Sequence, residues 1–167
     1  EYGEYIIVDK LSYQNFFGAL KVGEPKRGDI VIFRPPKNNS EFFIKRVIGL
    51  PGETVKLQNG YVYIYNDANK NGYKLQEDYL NAKNNGNTHP DKDYLTEFTV
   101  PAGYYFVMGD NRTESSDSRA CFRETAYDND CGKDKLAAFV PFKNIEGKAW
   151  LILWPLQKIG LAPTTQY

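Results

Sequence analysis

The sequence predicts a mainly β domain of antiparallel sheets, and three observations predict it. Short apolar runs are separated by turns rich in Gly, Pro and Asn, the punctuation of a sandwich or barrel. Aromatic residues make up 15% of the chain, with 13 Tyr and 10 Phe, and such side chains suit a pleated, half-buried surface. No long stretch spaces its apolar residues at the 3.6-residue period of a helix, and no internal repeat is present.

The elements follow in order. Residues 5–8 ("YIIV") form the first apolar run. Residues 29–34 ("DIVIFR") and 41–49 ("EFFIKRVIG") are the next two strands, joined by the turn "PPKNNS". "LPGE" leads into residues 54–58, and "QNG" is a hairpin turn between that strand and residues 61–65. Residues 96–100, 104–108 and 147–154 complete the set. Residues 66–93 are rich in Asn, Lys, Asp and Gly and read as a polar, loop-rich insertion without an evident site. Residues 120–138 carry both cysteines and read as a second insertion, leaving residues 1–65 and 94–167 as the main domain. Within the first insertion "DANKNG" matches half of a calcium loop. Its twelfth position is Asp78 rather than Glu and no helices flank it, so it reads as a plain turn.

Composition narrows the partners. The chain has 167 residues, enough for a real core. Its 21 basic and 21 acidic residues cancel, which argues against a general electrostatic hold on nucleic acid. The longest apolar run, "AWLILWPL" (residues 149–156), falls short of the ~20 residues a spanning helix needs. The chain opens at "EYGEYIIVDK" without a methionine or targeting segment. It is therefore expected to be a piece of a longer protein, and a missing anchor does not argue for the cytosol. Cys121 and Cys131 are compatible with a disulfide and with two free thiols. His89 is the only histidine, which argues against a zinc site.

Two stretches carry the chemistry. In "FFIKRVIGLPGE" (residues 42–53) alternate residues share a face, so Phe42, Ile44, Arg46 and Ile48 point one way and Phe43, Lys45 and Val47 the other. Each face is apolar except for one cation. A lone ammonium among apolar neighbours is costly to keep charged, and its pKa falls. Lys45 is either a badly placed charge or a base. "MGDNRTESSDSR" (residues 108–119) follows a strand and holds three serines, two aspartates and two arginines. It reads either as a solvated loop of local ion pairs or as a loop packed on the Lys45 strand, giving hydroxyls to the lysine and a carboxylate to Arg46.

With both stretches in view, the chain resembles the catalytic domain of bacterial type I signal peptidases, membrane-anchored serine proteases with a Ser–Lys dyad. "GEYIIVDKLSY" (residues 3–13), "RGDIVIFRPP" (27–36), "IKRVIGLPGE" (44–53), "MGDNRTESSDSR" and a closing "VPFKNIEGKAW" (140–150) match in order. The resemblance implies a signal-peptidase-like β-fold and makes Lys45 the general base, with Ser115 hydrogen-bonded to it and orienting it. It pairs Arg46 with Asp110 and Asp117 with Arg119, and makes Gly109, Asn111 and Ser118 scaffold. Those pairing and scaffold positions read more readily as stabilisers of the loop than as participants in bond making.

The family's nucleophilic serine lies a few residues before "GEYIIVDK", with a second, oxyanion-stabilising serine just upstream of it in part of the family. Neither is present in this chain. Ser12, Ser40, Ser116 and Ser118 do not match the nucleophile's position. The chain as written is therefore expected to be inactive, since a base without a nucleophile is no protease. The resemblance also implies a substrate, the Ala-x-Ala signal peptides of secreted preproteins, lying extended beside Phe42, Phe43 and Ile44 as an added strand. Ile44, Ile6 and Ile32 are candidates for shallow apolar pockets or for core. It implies the bacterial inner membrane, with this domain on the periplasmic or extracellular side. Trp154, Phe16 and Phe17 are candidate membrane contacts, while Trp150, Leu151 and Leu153 read as core.

Two other readings compete. A catalytically silent homologue acting as a binding or assembly module is argued against by Lys45, a costly residue to keep without a use. A self-cleaving repressor of the related Ser–Lys fold would want a DNA-binding segment and no 66–93 insertion.

Overall fold

The structure is a computed structural model that describes residues 5–13, 15–16, 20–21, 23–36, 40–123, 134–154 and 160–162. Thirteen strands run through these residues. They are β1 (Tyr5–Asp9), β2 (Asn15–Phe16), β3 (Leu20–Lys21), β4 (Ile30–Phe33), β5 (Phe43–Gly49), β6 (Thr54–Gln58) and β7 (Tyr61–Asn66). After them come β8 (Asn69–Lys74), β9 (Glu97–Thr99), β10 (Tyr104–Met108), β11 (Val140–Pro141), β12 (Ile145–Trp154) and β13 (Gly160–Leu161). The main sheet has the order β1-β12-β4-β5-β10-β11, with β13 added to β12. A second sheet has the order β8-β7-β6-β9, and β2 and β3 form a small hairpin. The pairings are antiparallel. The fold is mainly β, as the sequence predicts. Among the described residues no helix is long and apolar enough to cross a membrane.

Strands β5 and β10 are buried on both faces. Ile48, Phe106 and Met108 enter one core, with Val55, Leu57, Val62, Ile64, Phe98 and Val100 of the second sheet. Their neighbours Val47, Tyr105 and Val107 enter the other, with Val31, Phe33, Phe122 and Val140. Side chains alternate along a strand, so adjacent residues fill opposite cores. This is why the Lys45 strand reads as apolar on either face. Near its start the strand opens to solvent on the Ile44 face, while Phe43 still packs against the second core.

The turn at Asn59 and Gly60 has φ of 53° and 81°, the left-handed pair of a type I′ hairpin. Gly60 is required twice over, because a methyl group there would sit 1.9 Å from the Gly86 carbonyl oxygen. A buried Glu53 ties the two sheets: it takes Arg27 Nη2 at 2.6 Å, Asn66 Nδ2 at 3.0 Å and the Leu50 amide at 2.9 Å. Burial alone would raise its pKa, but these donors outweigh it and hold the carboxyl below the usual range.

Three expectations change. Residues 69–74 ("NKNGYK") form β8, paired with β7, where the sequence suggests only loop. No apolar alternation marks this strand, because it is held by backbone pairing at a sheet edge and most of its side chains are exposed. "DANKNG" is accordingly the β7–β8 hairpin, turning at Asp67 and Ala68. Residues at the ends of the Cys-bearing insertion are core: Phe122 lies edge-on to Phe33 at 5.4 Å and to Phe43 at 6.3 Å, and Ala137, Ala138 and Phe139 join the other core. Cys121 is buried and disulfide-bonded, while Cys131 lies outside the described residues. Trp150, expected in the core, is 56% exposed, because it alternates with the buried Ala149 along β12. The side chains of Phe16, Leu153 and Trp154, and all of Phe17, lie outside the described residues.

Candidate active site

Strand β5 delivers Lys45. Val31 on β4 stands opposite it, and its ammonium lies 5.5 Å from the centre of the Phe43 ring. Lys45 is half-buried, and among the described residues its nitrogen has no ion-pair or hydrogen-bond partner. Burial pushes its pKa down, the Arg119 charge adds to the effect, and Asp117 and Asp110 partly oppose it.

The other wall is the loop that follows β10. Gly109 stands between Lys45 and Ser115, and here a side chain is excluded by space. A methyl group on its Cα would sit 2.1 Å from Ser115 Oγ and 3.6 Å from Lys45 Cδ. Ser115 therefore packs against the same small residue as the lysine. The hydrogen bond expected between them is not made: Ser115 Oγ is buried without a partner. A buried hydroxyl left in this way costs free energy.

Asp117 anchors the loop. Its buried carboxylate receives Arg119 Nε at 2.9 Å, Arg119 Nη2 at 2.8 Å, the Arg119 amide at 3.1 Å and the Gly109 amide at 3.0 Å. The expected Asp117–Arg119 pair thus also fixes Gly109. Ser118 Oγ accepts from the Val107 amide at 2.9 Å, sewing the loop to β10. Asn111 is exposed; its side chain bonds Glu114 and Thr113, and its carbonyl takes the Ser115 amide.

Arg46 points to the opposite face from Lys45 and is 1% exposed. Its guanidinium grips Asp110 with two bonds, of 2.9 and 2.7 Å, and donates to the Gly28 carbonyl at 2.9 Å. The adjacent cations of the strand thus have separate fates. Arg46 is neutralised and satisfied, and Lys45 has no counter-ion among the described residues.

Sequence reasoning missed the residues behind this loop. Arg112 is buried and pairs with Glu77 of the 66–93 segment. It also donates to Thr88 Oγ1 at 2.6 Å and to the Tyr79 hydroxyl at 2.9 Å. The Tyr79 ring lies under Arg46, 3.9 Å from its guanidinium carbon. Nothing in the pattern of "KLQEDYL" marks Glu77 or Tyr79. The one available signal was Arg112 itself, the first arginine of the polar box.

Of the predicted substrate residues, Phe42 and Ile44 are exposed, at 56% and 40%, and Arg34 lies over the Phe42 ring at 4.3 Å. Ile32 is half-buried and stands directly opposite Ile44. Phe43 turns to the other face, against Phe33. Ile6 is half-buried on β1, with β12 and β4 between it and β5. Strand β10 pairs with β5 only from Met108 opposite Arg46 onward, so among the described residues no strand covers that edge of Phe43, Ile44 and Lys45. His89 contributes its carbonyl to Arg119, and among the described residues no cluster of metal-ligating side chains occurs.

A half-buried, unpaired amine beside an uncovered strand edge can take a proton from a hydroxyl that attacks an extended peptide. The comparisons with known proteins bear on that chemistry. The profile of the family described as "Signal peptidase, peptidase S26" matches residues 1–154. The chain is 34% identical to the signal peptidase I of Leptolyngbya laminosa, over all of this chain and 68% of that protein. It is 34% identical to that of Pseudomonas aeruginosa, over 98% of this chain and 63% of the relative. The chain thus spans roughly two thirds of the length of these relatives. A crystal structure of a signal peptidase I from Enterococcus faecalis V583 aligns with a TM-score of 0.50 and 37% identity, covering 75% of this chain and 96% of that one.

Proposed function

The chain belongs to the signal peptidase family, peptidase S26, and from that membership we propose that it is the catalytic part of a membrane-anchored serine endopeptidase that removes signal peptides from secreted preproteins. Lys45 is the general base. The observation that carries this reading is the state of its amine: half-buried, facing an aromatic ring, with no counter-ion among the described residues. A lysine of ordinary pKa, ~10.4, would hold its proton at neutral pH and fail as a base. Here burial favours the neutral form. The amine takes the proton of a serine hydroxyl as that oxygen bonds the scissile carbonyl carbon, and returns it to the leaving nitrogen when the peptide bond breaks. No serine of residues 1–167 is assigned that attack.

The substrate adds as an extended strand beside Phe43, Ile44 and Lys45, where β10 leaves the edge uncovered. Ile44 and Ile32 then face the small residues of the Ala-x-Ala signal. The exposed Trp150 and Leu161 suit contact with the lipid interface, on the periplasmic or extracellular side of the bacterial inner membrane.

The test is cleavage of a preprotein peptide by the full-length protein. Cleavage after Ala-x-Ala, abolished by Lys45→Met and by Lys45→Arg, is the expected result. Arginine keeps the charge and cannot become neutral. Undiminished cleavage by either variant overturns the assignment of the base. Absence of cleavage by the parent, with no serine motif encoded before Glu1, favours the silent homologue.

A further inference from the structure

We propose that Glu77, Tyr79 and Thr88 of the 66–93 segment form a positioning element for Lys45, acting through Arg112 on the backbone of Gly109. The inference rests on the reading of Lys45 as the general base and assigns a role to a segment that the sequence leaves without one.

The Arg112–Glu77 pair is almost fully removed from water, with side-chain exposures of 0% and 5%. A buried ion pair seldom repays its desolvation in stability, so its geometry is the better guide to its use. Both terminal nitrogens of Arg112 donate to Glu77. Thr88 Oγ1 and the Tyr79 hydroxyl also accept from Arg112, and Tyr79 in turn donates to Glu77 at 2.8 Å. With its far end fixed, Arg112 directs Nε to the Gly109 carbonyl at 3.2 Å. Its own carbonyl takes Arg119 Nη1 at 2.9 Å, and Arg119 holds Asp117. Gly109 is thus gripped at its amide by Asp117 and at its carbonyl by Arg112. It is also the residue against which Lys45 and Ser115 both pack. The Tyr79 ring supports Arg46 from below, so one segment braces both walls of the site.

The charged groups bearing on Lys45 are Asp110, Asp117 and Arg119; Asp117 and Arg119 are held through the Arg112 carbonyl, and Asp110 by Arg46, which lies on the Tyr79 ring. Loosening Arg112 frees Gly109, lets water reach the amine and restores its charge.

The sign of the effect makes a test possible. In the full-length protein, Glu77→Gln removes a negative charge, which by Coulomb attraction alone lowers the lysine pKa further. Loss of positioning raises it. The measurements are competitive amine labelling of Lys45 and the pH profile of kcat/KM on a signal-peptide substrate. We expect the acid limb to move to higher pH, in kcat with KM held, and each unit of rise to cut the neutral amine about tenfold on that limb. Thr88→Val, which changes no charge, moves the limb the same way. Tyr79→Phe removes one hydroxyl, keeps the ring under Arg46 and serves if Glu77→Gln does not fold. Folded variants whose limb stays put or moves to lower pH overturn the proposal. A parent protein whose Lys45 labels like a free lysine overturns the general-base reading, and this inference with it.

Discussion

Lys45 carries a cost that a surface lysine escapes. Its pKa is lower in the folded chain than in the unfolded one, so the unfolded state binds more protons between the two values, and stability rises with pH across that window. Below the folded pKa the penalty is present in full, and above the unfolded value it is gone. Lys45→Met should therefore raise the denaturation midpoint at neutral pH, with the gain shrinking to nothing above pH ~10.4. A midpoint difference that ignores pH would contradict the shift. Ser115 makes a complementary case. Among the described residues its hydroxyl has no partner, so Ser115→Ala should leave the midpoint unchanged or raise it, which thermal denaturation would read. Gly109→Ala should lose ~1–3 kcal/mol to overpacking against Ser115. Ser115→Gly in the same chain should restore much of that loss, which urea titration would read.

Between strands, the decisive element is the loop after β10. Asp117 satisfies the Gly109 amide and the Arg119 side chain from one buried carboxylate. Removing one partner of such a pair leaves the other charge uncompensated, so Asp117→Ala should cost ~3–5 kcal/mol, against a near-zero effect for an exposed pair such as Lys83–Glu114. Equal, small losses in the two variants would show that the loop stands without its anchor. β5 shows a second effect of element scale. Its C-terminal half is enclosed by two cores and its N-terminal half opens to solvent at Ile44, next to the exposed Phe42 that precedes the strand. One strand can thereby bury a guanidinium, half-bury an amine and still offer an edge to a peptide.

Across the whole molecule, β5 and β10 serve as the common wall of both cores. Ile48 and Val47 are sequence neighbours, yet each is fully buried in a different cluster. Damage to either core should therefore pull down the same sheet. Val47→Ala should lower stability by ~1–3 kcal/mol and Ile48→Val by ~0.5–1.5 kcal/mol, for deletion of buried methyls. Near- and far-ultraviolet circular dichroism should still follow a single coincident transition in each variant. Separate transitions would mean that the two clusters fold as independent units.

The sequence by itself determined the β class, the position of most strands and the identity of the central pairs. Residues 54–58 and 104–108 are strands to the residue, because alternation and turn chemistry are local signals. Lys45 and Arg46 were legible because charges set in an apolar run stand out from their neighbours, whereas Asp110, Asp117 and Arg119 were named through the resemblance of the polar box to the signal peptidase family. Only the tertiary structure decided how the two cations of β5 divide. One was captured by Asp110, Gly28 and the Tyr79 ring, and the other kept its nitrogen unpaired among the described residues. Glu77, Tyr79, Thr88 and the strand at residues 69–74 were invisible for one physical reason. The three side chains meet Arg112 from tens of residues away along the chain, and the strand pairs through its backbone at an exposed edge; in both, no side-chain periodicity says which group will satisfy which.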